Sequence, residues 1–326
     1  MSDTASNVPR SIDLSIVIVS WNVATLLAEC LESIFNNAFV QSRPAEDPIR
    51  LEVIAVDSAS EDDTVTMIQR RFPQVHLLPQ ESNVGYTRGN NIGLAAAEGR
   101  HILLLNPDTV VLGNALGEMV HYLDEHPDVG IVGPFTLNTD GTQQSTRRRF
   151  PTVKLAYFES TWLQPFAPRR MLDQYYMNDV PRSGTMNVDW VQGSALMLRR
   201  QVYEEIGGLD ERYTMFSEEL DFCKRAKDAG WRVVFLGTAQ IIHHGGKSTE
   251  QVAANKHIYF QESKLRYFKK HHGSATVNRL RWFLLANYVW QLGIEALKWL
   301  LGHKRPLRVE RIHAYRDVLR SGLKVD

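Results

Sequence analysis

A chain of 326 residues with 44% hydrophobic content has enough apolar matter for one large packed core, or for a domain with an appendage, which excludes a disordered protein. Lys plus Arg equals Asp plus Glu at 37 each, so no global charge marks a nucleic-acid binder. Two cysteines, Cys30 and Cys223, lie far apart without metal-ligand spacing, which excludes a disulfide framework and a cysteine zinc site. The first 13 residues are polar and lack the basic-then-apolar pattern of a secretory signal, so a tail at 1–13 and a cytoplasmic location are expected.

In chain order, Leu14 to Ser20 reads as a buried strand, Ala24 to Phe35 as an amphipathic helix and Leu51 to Val56 as a second strand with Asp57 at its tip. Asp62 to Phe72 reads as helix, Val75 to Leu78 as strand, Gly89 to Ala97 as helix and His101 to Leu105 as strand, with a further strand at Gly130 to Val132. This alternation predicts an α/β fold: a mostly parallel, Rossmann-like sheet flanked by helices. The pattern fails from Asn138 to Val188, where Arg147-Arg148-Arg149, prolines and aromatics suggest an excursion over the mouth of the sheet. Val188 to Arg199 reads as strand, Gln201 to Ile206 and Glu218 to Ala229 as helices, and Val233 to Leu236 as strand. From Trp282 to Gly302 the chain is mostly apolar, with Asn287, Gln291, Glu295 and Lys298 on one narrow stripe. That pattern fits a helix lying in a membrane interface with its polar stripe in water, or equally one packed on the main domain or a second subunit.

Four segments follow expected strands: Ser20-Trp21-Asn22, Asp57, Asn106-Pro107-Asp108, and His243-His244 before Gly245-Gly246. In a parallel sheet such ends share one edge, where ligands bind. Trp21 can stack on a base, Asp57 can accept a hydrogen bond from a pyrimidine ring N–H, Asp108 can hold a metal on a diphosphate, and His243 can donate an imidazole nitrogen to the same ion. The competing structural readings are a core Trp21, an Asp57 that caps the next helix, and a His243 that bonds backbone. Asn83 to Gly93 is a glycine-rich loop whose amides and Arg88 can approach a phosphate. It lacks the spacing of a dinucleotide fingerprint, which disfavours a nicotinamide enzyme, and no P-loop run occurs. Glu218, Glu219 and Asp221 open a helix, and crowded carboxylates beside a metal-diphosphate site can raise one pKa into the range of a general base.

Taken together, SIVIVSWN, VIAVDSASEDDT, NVGYTRGNNIGLAAAEGRHILLLNPDTVV, VQGSALMLRR, GGLDERYTMFSEELDFCKRAKDAGW and IIHHGG resemble the family 2 glycosyltransferases of the GT-A fold, over about Leu14 to Gly246. The resemblance is strongest to the rhamnosyltransferase-like branch. It implies inverting transfer of a sugar, L-rhamnose from dTDP-rhamnose first, from a nucleotide donor to a glycan or lipid-linked acceptor in bacterial cell-surface polysaccharide synthesis. It also implies Mg²⁺ or Mn²⁺ on Asp108 and His243, donor contacts from Ser20, Trp21, Asn22, Asp57, Arg88 and Asn106, and Glu219 as the base, with Glu218 and Asp221 as rivals. Asn106 stands where the family's first DXD aspartate falls, and Glu219 where members often carry aspartate. The implied division is a donor-binding half at 14–137, an acceptor and catalytic half at 138–274, and an amphipathic helical region at 275–326. Arg147-Arg148-Arg149 and that last region suggest peripheral membrane contact on the inner face of the cell membrane, or a homodimer. A UDP-sugar donor (N-acetylglucosamine, galactose or glucose) and a catalytically silent sugar-nucleotide scaffold are the alternative readings; a nucleotidyltransferase is disfavoured because Ser20-Trp21-Asn22 supplies no phosphate-gripping loop.

Overall fold

The structure, a computed structural model, describes residues 12–37, 49–180, 183–245 and 256–325. Most of the expected N-terminal tail, and Gly246 of the histidine segment, lie outside the described residues. The sheet has nine strands among the described residues: β1 (Leu14–Ser20), β2 (Leu51–Asp57), β3 (His76–Pro79), β4 (His101–Leu105), β5 (Thr109–Leu112), β6 (Val129–Leu137), β8 (Met186–Val188), β10 (Ala195–Arg199) and β11 (Arg232–His243). Its order is β3-β2-β1-β4-β10-β6-β11-β5, with β8 also on β11; β7 (Arg147–Arg148) and β9 (Trp190–Val191) form a separate two-stranded ribbon. β1, β2, β3 and β4 pair in parallel, as do β6 and β11, while β10, β5 and β8 run antiparallel to their partners. The expected mostly parallel sheet is therefore present. The run Val188 to Arg199, expected as one strand, is broken at Gln192-Gly193-Ser194, because its first part pairs with β7 and its second with β4.

β1 is buried along its whole length, and alternation sends its side chains into two cores. Leu14, Ile16 and Ile18 meet α1 (Ala24–Asn37), α2 (Thr64–Arg71) and α4 (Ala115–Glu125) on one face. Val17 and Val19 meet α3 (Gly85–Ala96), α7 (Arg200–Ile206) and α8 (Glu218–Asp228) on the other. α3 begins four residues before the expected Gly89, so Gly89 and Gly93 lie inside the helix that the Asn83 to Gly93 segment opens. A Cβ at Gly89 would stand 2.7 Å from Val19 Cγ1, and one at Gly93 would overlap Val17 Cγ1, so both glycines let the helix lie close on β1.

The excursion carries β7, α5 (Val153–Phe158), a short 3₁₀ turn and α6 (Arg169–Tyr176). A third core joins α5 and the Leu220 side of α8 to α9 (Lys256–His272), α10 (Ser274–Leu300) and α11 (Arg305–Ser321). α9, which ends before the expected boundary at 275, shares this core with the two helices that follow it. Of the two readings of the stripe at Asn287, Gln291, Glu295 and Lys298, the helix packed on the main domain is the one present, with part of the stripe turned inward. Asn287 and Glu295 are buried: Asn287 Oδ1 accepts from the Trp162 amide at 2.9 Å, and Glu295 Oε2 accepts from Arg308 Nη1 at 2.7 Å. α11 folds back and brings Arg308 against α10, so the polar groups find partners inside and the apolar residues are left outside.

Candidate active site

Two strand pairings build the centre of the site. β11 slips register between Leu236 and Gln240, a bulge that bends a long strand and re-aims its second half. That half pairs with β5, setting His243 opposite Thr109, the residue after Asp108. His243 Nε2 then lies 3.3 Å from Asp108 Oδ1 and 3.4 Å from Asn106 Nδ2. Both Asp108 and His243 are buried.

The imidazole is oriented by Gln144. The Gln144 side-chain Nε2 donates to the His243 carbonyl at 2.7 Å, which turns its Oε1 toward His243 Nδ1, 3.0 Å away. An amide oxygen can only accept, so Nδ1 carries the proton, and in the neutral ring Nε2 has its lone pair toward Asp108. This is how histidine ligands to metals are held: one nitrogen anchored by an acceptor, the other offered to the ion. The buried Asn106 Oδ1 has no hydrogen-bond partner among the described residues. A carboxylate oxygen, an imidazole nitrogen and an unsatisfied amide oxygen form a donor set that suits a divalent cation whose other positions come from phosphate and water. No cluster of three His, Cys, Asp or Glu suited to a metal exists among the described residues.

The Gln192–Ser194 turn ties this centre to α8. The Asn106 amide donates to the Ser194 carbonyl at 3.0 Å, the Gln192 amide to the Thr146 carbonyl at 2.9 Å, and the Tyr86 hydroxyl to the Gly193 carbonyl at 2.9 Å. Glu219 packs over Gly193: a Cβ there would meet Glu219 Cβ at 3.6 Å and the Tyr86 hydroxyl at 3.3 Å. Burial raises the pKa of Glu219, which the Gly193 amide and the Arg148 guanidinium partly oppose. Burial, reinforced by Glu219, pushes Glu218 well above the carboxylate range. Glu218 Oε2 and Glu219 Oε2 make no hydrogen bond among the described residues. Burial and these two carboxylates push the Tyr86 hydroxyl up as well. Phe216 and Ser217, which lead into α8, have φ of 69° and 64°, left-handed values that non-glycine residues adopt at a cost and that collect at functional turns.

Asp221 lies elsewhere. Fully buried, it accepts from Arg225 Nε (2.9 Å), Lys270 Nζ (2.9 Å) and His271 Nε2 (2.9 Å). Burial resists its ionisation, but these donors outweigh it and hold the carboxyl below its ordinary value.

At the other end of the edge, β1 and β2 stop in register at Ser20 and Asp57. The Asp57 carboxylate accepts from Ser20 Oγ (3.2 Å), Ser60 Oγ (2.6 Å) and the Ser60 amide (3.0 Å), so it does not cap α2. Asn22, at φ 52°, donates its amide to Ser60 Oγ at 2.9 Å and accepts the Glu61 amide on its Oδ1 at 2.7 Å, locking the Trp21 turn to the Asp57 loop. Trp21 is half-buried, and Arg88 is exposed in the first turn of α3. The basic triplet is split: Arg147 is buried and stacks on Phe235 with its carbon 5.3 Å from the ring centre, Arg148 lies 4.7 Å over Tyr176, and Arg149 pairs with Asp179 at 2.9 Å. It is not a patch open to headgroups. Sequence reasoning missed Gln144, Tyr86 and Gly193, and read Arg148 only as part of a basic triplet; Tyr86 and Gly193 fall inside the quoted motifs, whereas Gln144 stands in a stretch without periodicity.

These strand ends lie along one edge of a GT-A sheet, and the chain belongs to Glycosyl transferase family 2, whose profile matches residues 15–207. It is similar to an N-acetylglucosaminyl-diphospho-decaprenol L-rhamnosyltransferase of Mycobacterium tuberculosis, 27% identical over 282 residues, covering 83% of this chain and 89% of that one. It also resembles the rhamnosyltransferase WbbL of Escherichia coli, 22% identical over 206 residues, 57% of this chain and 70% of that one. Among solved structures, the mannosyltransferase PcManGT of Pyrobaculum calidifontis in complex with GDP-Man and Mn²⁺ superposes with a TM-score of 0.55 at 17% identity, covering 96% of this chain and 88% of that one. GalNAc-T7 with UDP, GalNAc and Mn²⁺ does so at 0.55 and 14%, covering 80% of this chain and about half, 48%, of that one.

Proposed function

We propose that the chain is a metal-dependent inverting glycosyltransferase that moves L-rhamnose from dTDP-rhamnose to a hydroxyl of a glycan or lipid-linked acceptor in cell-surface polysaccharide synthesis. The observation that carries this reading is the Asp108–His243 pair, 3.3 Å apart, with the imidazole tautomer set by Gln144. The activity for which the M. tuberculosis relative is named supports a lipid-diphosphate amino-sugar acceptor and rhamnose as the sugar. Residues 14–137 are assigned to the donor, 138–274 to the acceptor and base, and 275–326 to the appendage.

In this reading Ser20, Trp21, Asn22 and Asp57 hold the nucleoside, Trp21 by stacking and Asp57 through a remaining lone pair. Arg88 and Asn106 assist at the diphosphate, and Asp108 with His243 holds Mg²⁺ or Mn²⁺. Bound there, the cation neutralises charge gathering on the departing diphosphate. Glu218 retains its proton, because two adjacent buried carboxyls do not ionise together readily. Glu219 is left as the base: it takes the proton of the acceptor hydroxyl while that oxygen attacks the anomeric carbon opposite the leaving group, inverting the configuration. Asp221 positions α8 and does not touch substrate.

Asp57 meets a ring N–H that thymine and uracil share, which favours UDP-N-acetylglucosamine, UDP-galactose or UDP-glucose as the second donor reading. The test incubates the protein and Mn²⁺ with each sugar nucleotide and a polyprenyl-diphosphate N-acetylglucosamine, then follows nucleotide release and the anomeric proton of the product by NMR. Inverted product from dTDP-rhamnose supports the proposal. Product from a UDP-sugar alone shifts the donor, and no product from any donor favours the silent scaffold.

A further inference from the structure

We infer that the outer face of α10 is a docking surface for an anionic lipid bilayer, with the helix lying in the plane of the interface. Trp282 (65% exposed), Val289 (59%), Trp290 (57%), Leu297 (57%) and Leu300 (66%) recur at helical spacing. The exposed Ala286 and Gly293 fall between them on the same stripe, which runs for about 27 Å at 1.5 Å per residue. Trp162, 45% exposed, extends the face sideways, its ring centre 6.4 Å from that of Trp290. Helices in globular proteins turn such a stripe toward the core. Here the core side is already taken by Val277, Leu280, Leu284 and Tyr288, with Asn287 Oδ1 and Glu295 bonded beneath. A contiguous apolar face of this length marks a contact surface.

Charge selects the occupant. From residue 278 to 309 the sequence carries six Lys or Arg (Arg279, Arg281, Lys298, Lys304, Arg305, Arg308) against a single carboxylate, Glu295, which is buried. Lys298 and Arg308 bond that carboxylate. Arg279 and Arg281 lie toward one end of the stripe, and Lys304 and Arg305 lie past the other. Arg281 sits 5.3 Å over the Trp282 ring and Arg305 5.5 Å over the Trp299 ring, so an indole and a guanidinium come together at each end. Indoles and long cationic side chains beside an apolar stripe are the chemistry of an interfacial helix, apolar face in the acyl boundary and cations at the headgroups. A two-fold contact with a second copy would set basic ends against basic ends in either orientation, whereas anionic lipid attracts both. No helix among the described residues is long and apolar enough to cross a membrane, so the face would lie on the bilayer.

The experiment needs no enzymatic activity, so its failure leaves the transferase reading standing. The full chain is sedimented with phosphatidylcholine vesicles with and without phosphatidylglycerol, alongside the variants Trp290→Glu/Leu297→Glu and Lys304→Glu/Arg305→Glu. All four side chains are exposed, and circular dichroism checks that the fold is kept. Expected are a marked preference for phosphatidylglycerol, a blue shift of tryptophan fluorescence, and about ten-fold weaker partition for each variant. Equal partition of wild type and the Trp290/Leu297 variant, or no binding, would overturn the inference. So would a dimer in vesicle-free buffer that the Trp290/Leu297 variant dissociates, which assigns the face to a second copy.

Discussion

Gln144 and His243 hold each other from both sides: the glutamine amide donates to the histidine carbonyl at 2.7 Å and its oxygen meets Nδ1 at 3.0 Å. The second contact fixes which nitrogen of His243 faces Asp108. In the proposed site Gln144 would govern metal affinity without touching the metal. Gln144→Ala should weaken Mn²⁺ activation by roughly 10- to 100-fold while leaving turnover at saturating Mn²⁺ close to wild type, read from metal titrations of nucleotide release. An unchanged midpoint would remove Gln144 from the account.

Glu219 is predicted to be the base, and its raised pKa places the acid limb of kcat/KM above the ordinary glutamate range. Activity should fall as pH drops through that raised value, because the base must be ionised to act. Glu219→Gln should lower kcat by about 10²- to 10⁴-fold with little change in nucleotide affinity, measured by initial rates and dTDP titration.

Glu218 should reveal its buried charge through stability. Its folded pKa lies above the ordinary value, so the stabilising contribution of its protonated form is present below the unfolded pKa and is lost as pH rises through the folded one. Glu218→Gln should accordingly melt higher than wild type at alkaline pH and converge with it in acid. Melting curves across pH check this; a variant that melts lower at every pH would contradict it.

Asp221 has the opposite sign. Its pKa is lowered by His271, Lys270 and Arg225, so its contribution is present above the unfolded value and is lost as pH falls through the folded one. Asp221→Asn should destabilise the fold near neutral pH by about 2 kcal/mol, since the buried side chain loses its charge-assisted hydrogen bonds to Arg225 and Lys270. Denaturant unfolding at neutral and acid pH measures the loss, which should shrink in acid. If α8 is only positioned by Asp221, the folded variant keeps the wild-type pH limb of kcat/KM.

Much of the fold was legible because β1 and β4 are continuous apolar runs that only a sheet covered on both faces buries. The strand-end residues Asp57, Asn106 and Asp108 were legible for the same reason, since parallel strands deliver their ends to one edge. Periodicity could not reveal the bulge in β11 that brings His243 beside Asp108, nor Gln144, whose partner is 99 residues away. The stripe on α10 was open to two readings, polar side in water or packed on the domain, because a hydrophobic pattern does not show which partners polar residues find. Glu295 finds Arg308, thirteen residues on, and that return of the chain leaves no periodic trace.

The central claim, that Asp108 and His243 hold a divalent cation on a nucleoside diphosphate, is tested most directly by calorimetric titration of dTDP into wild-type protein and Asp108→Ala, each with Mn²⁺ and with EDTA. Wild-type protein should bind dTDP only with Mn²⁺, and Asp108→Ala should not bind it. Binding of equal strength in EDTA, or undiminished binding by Asp108→Ala, would contradict it.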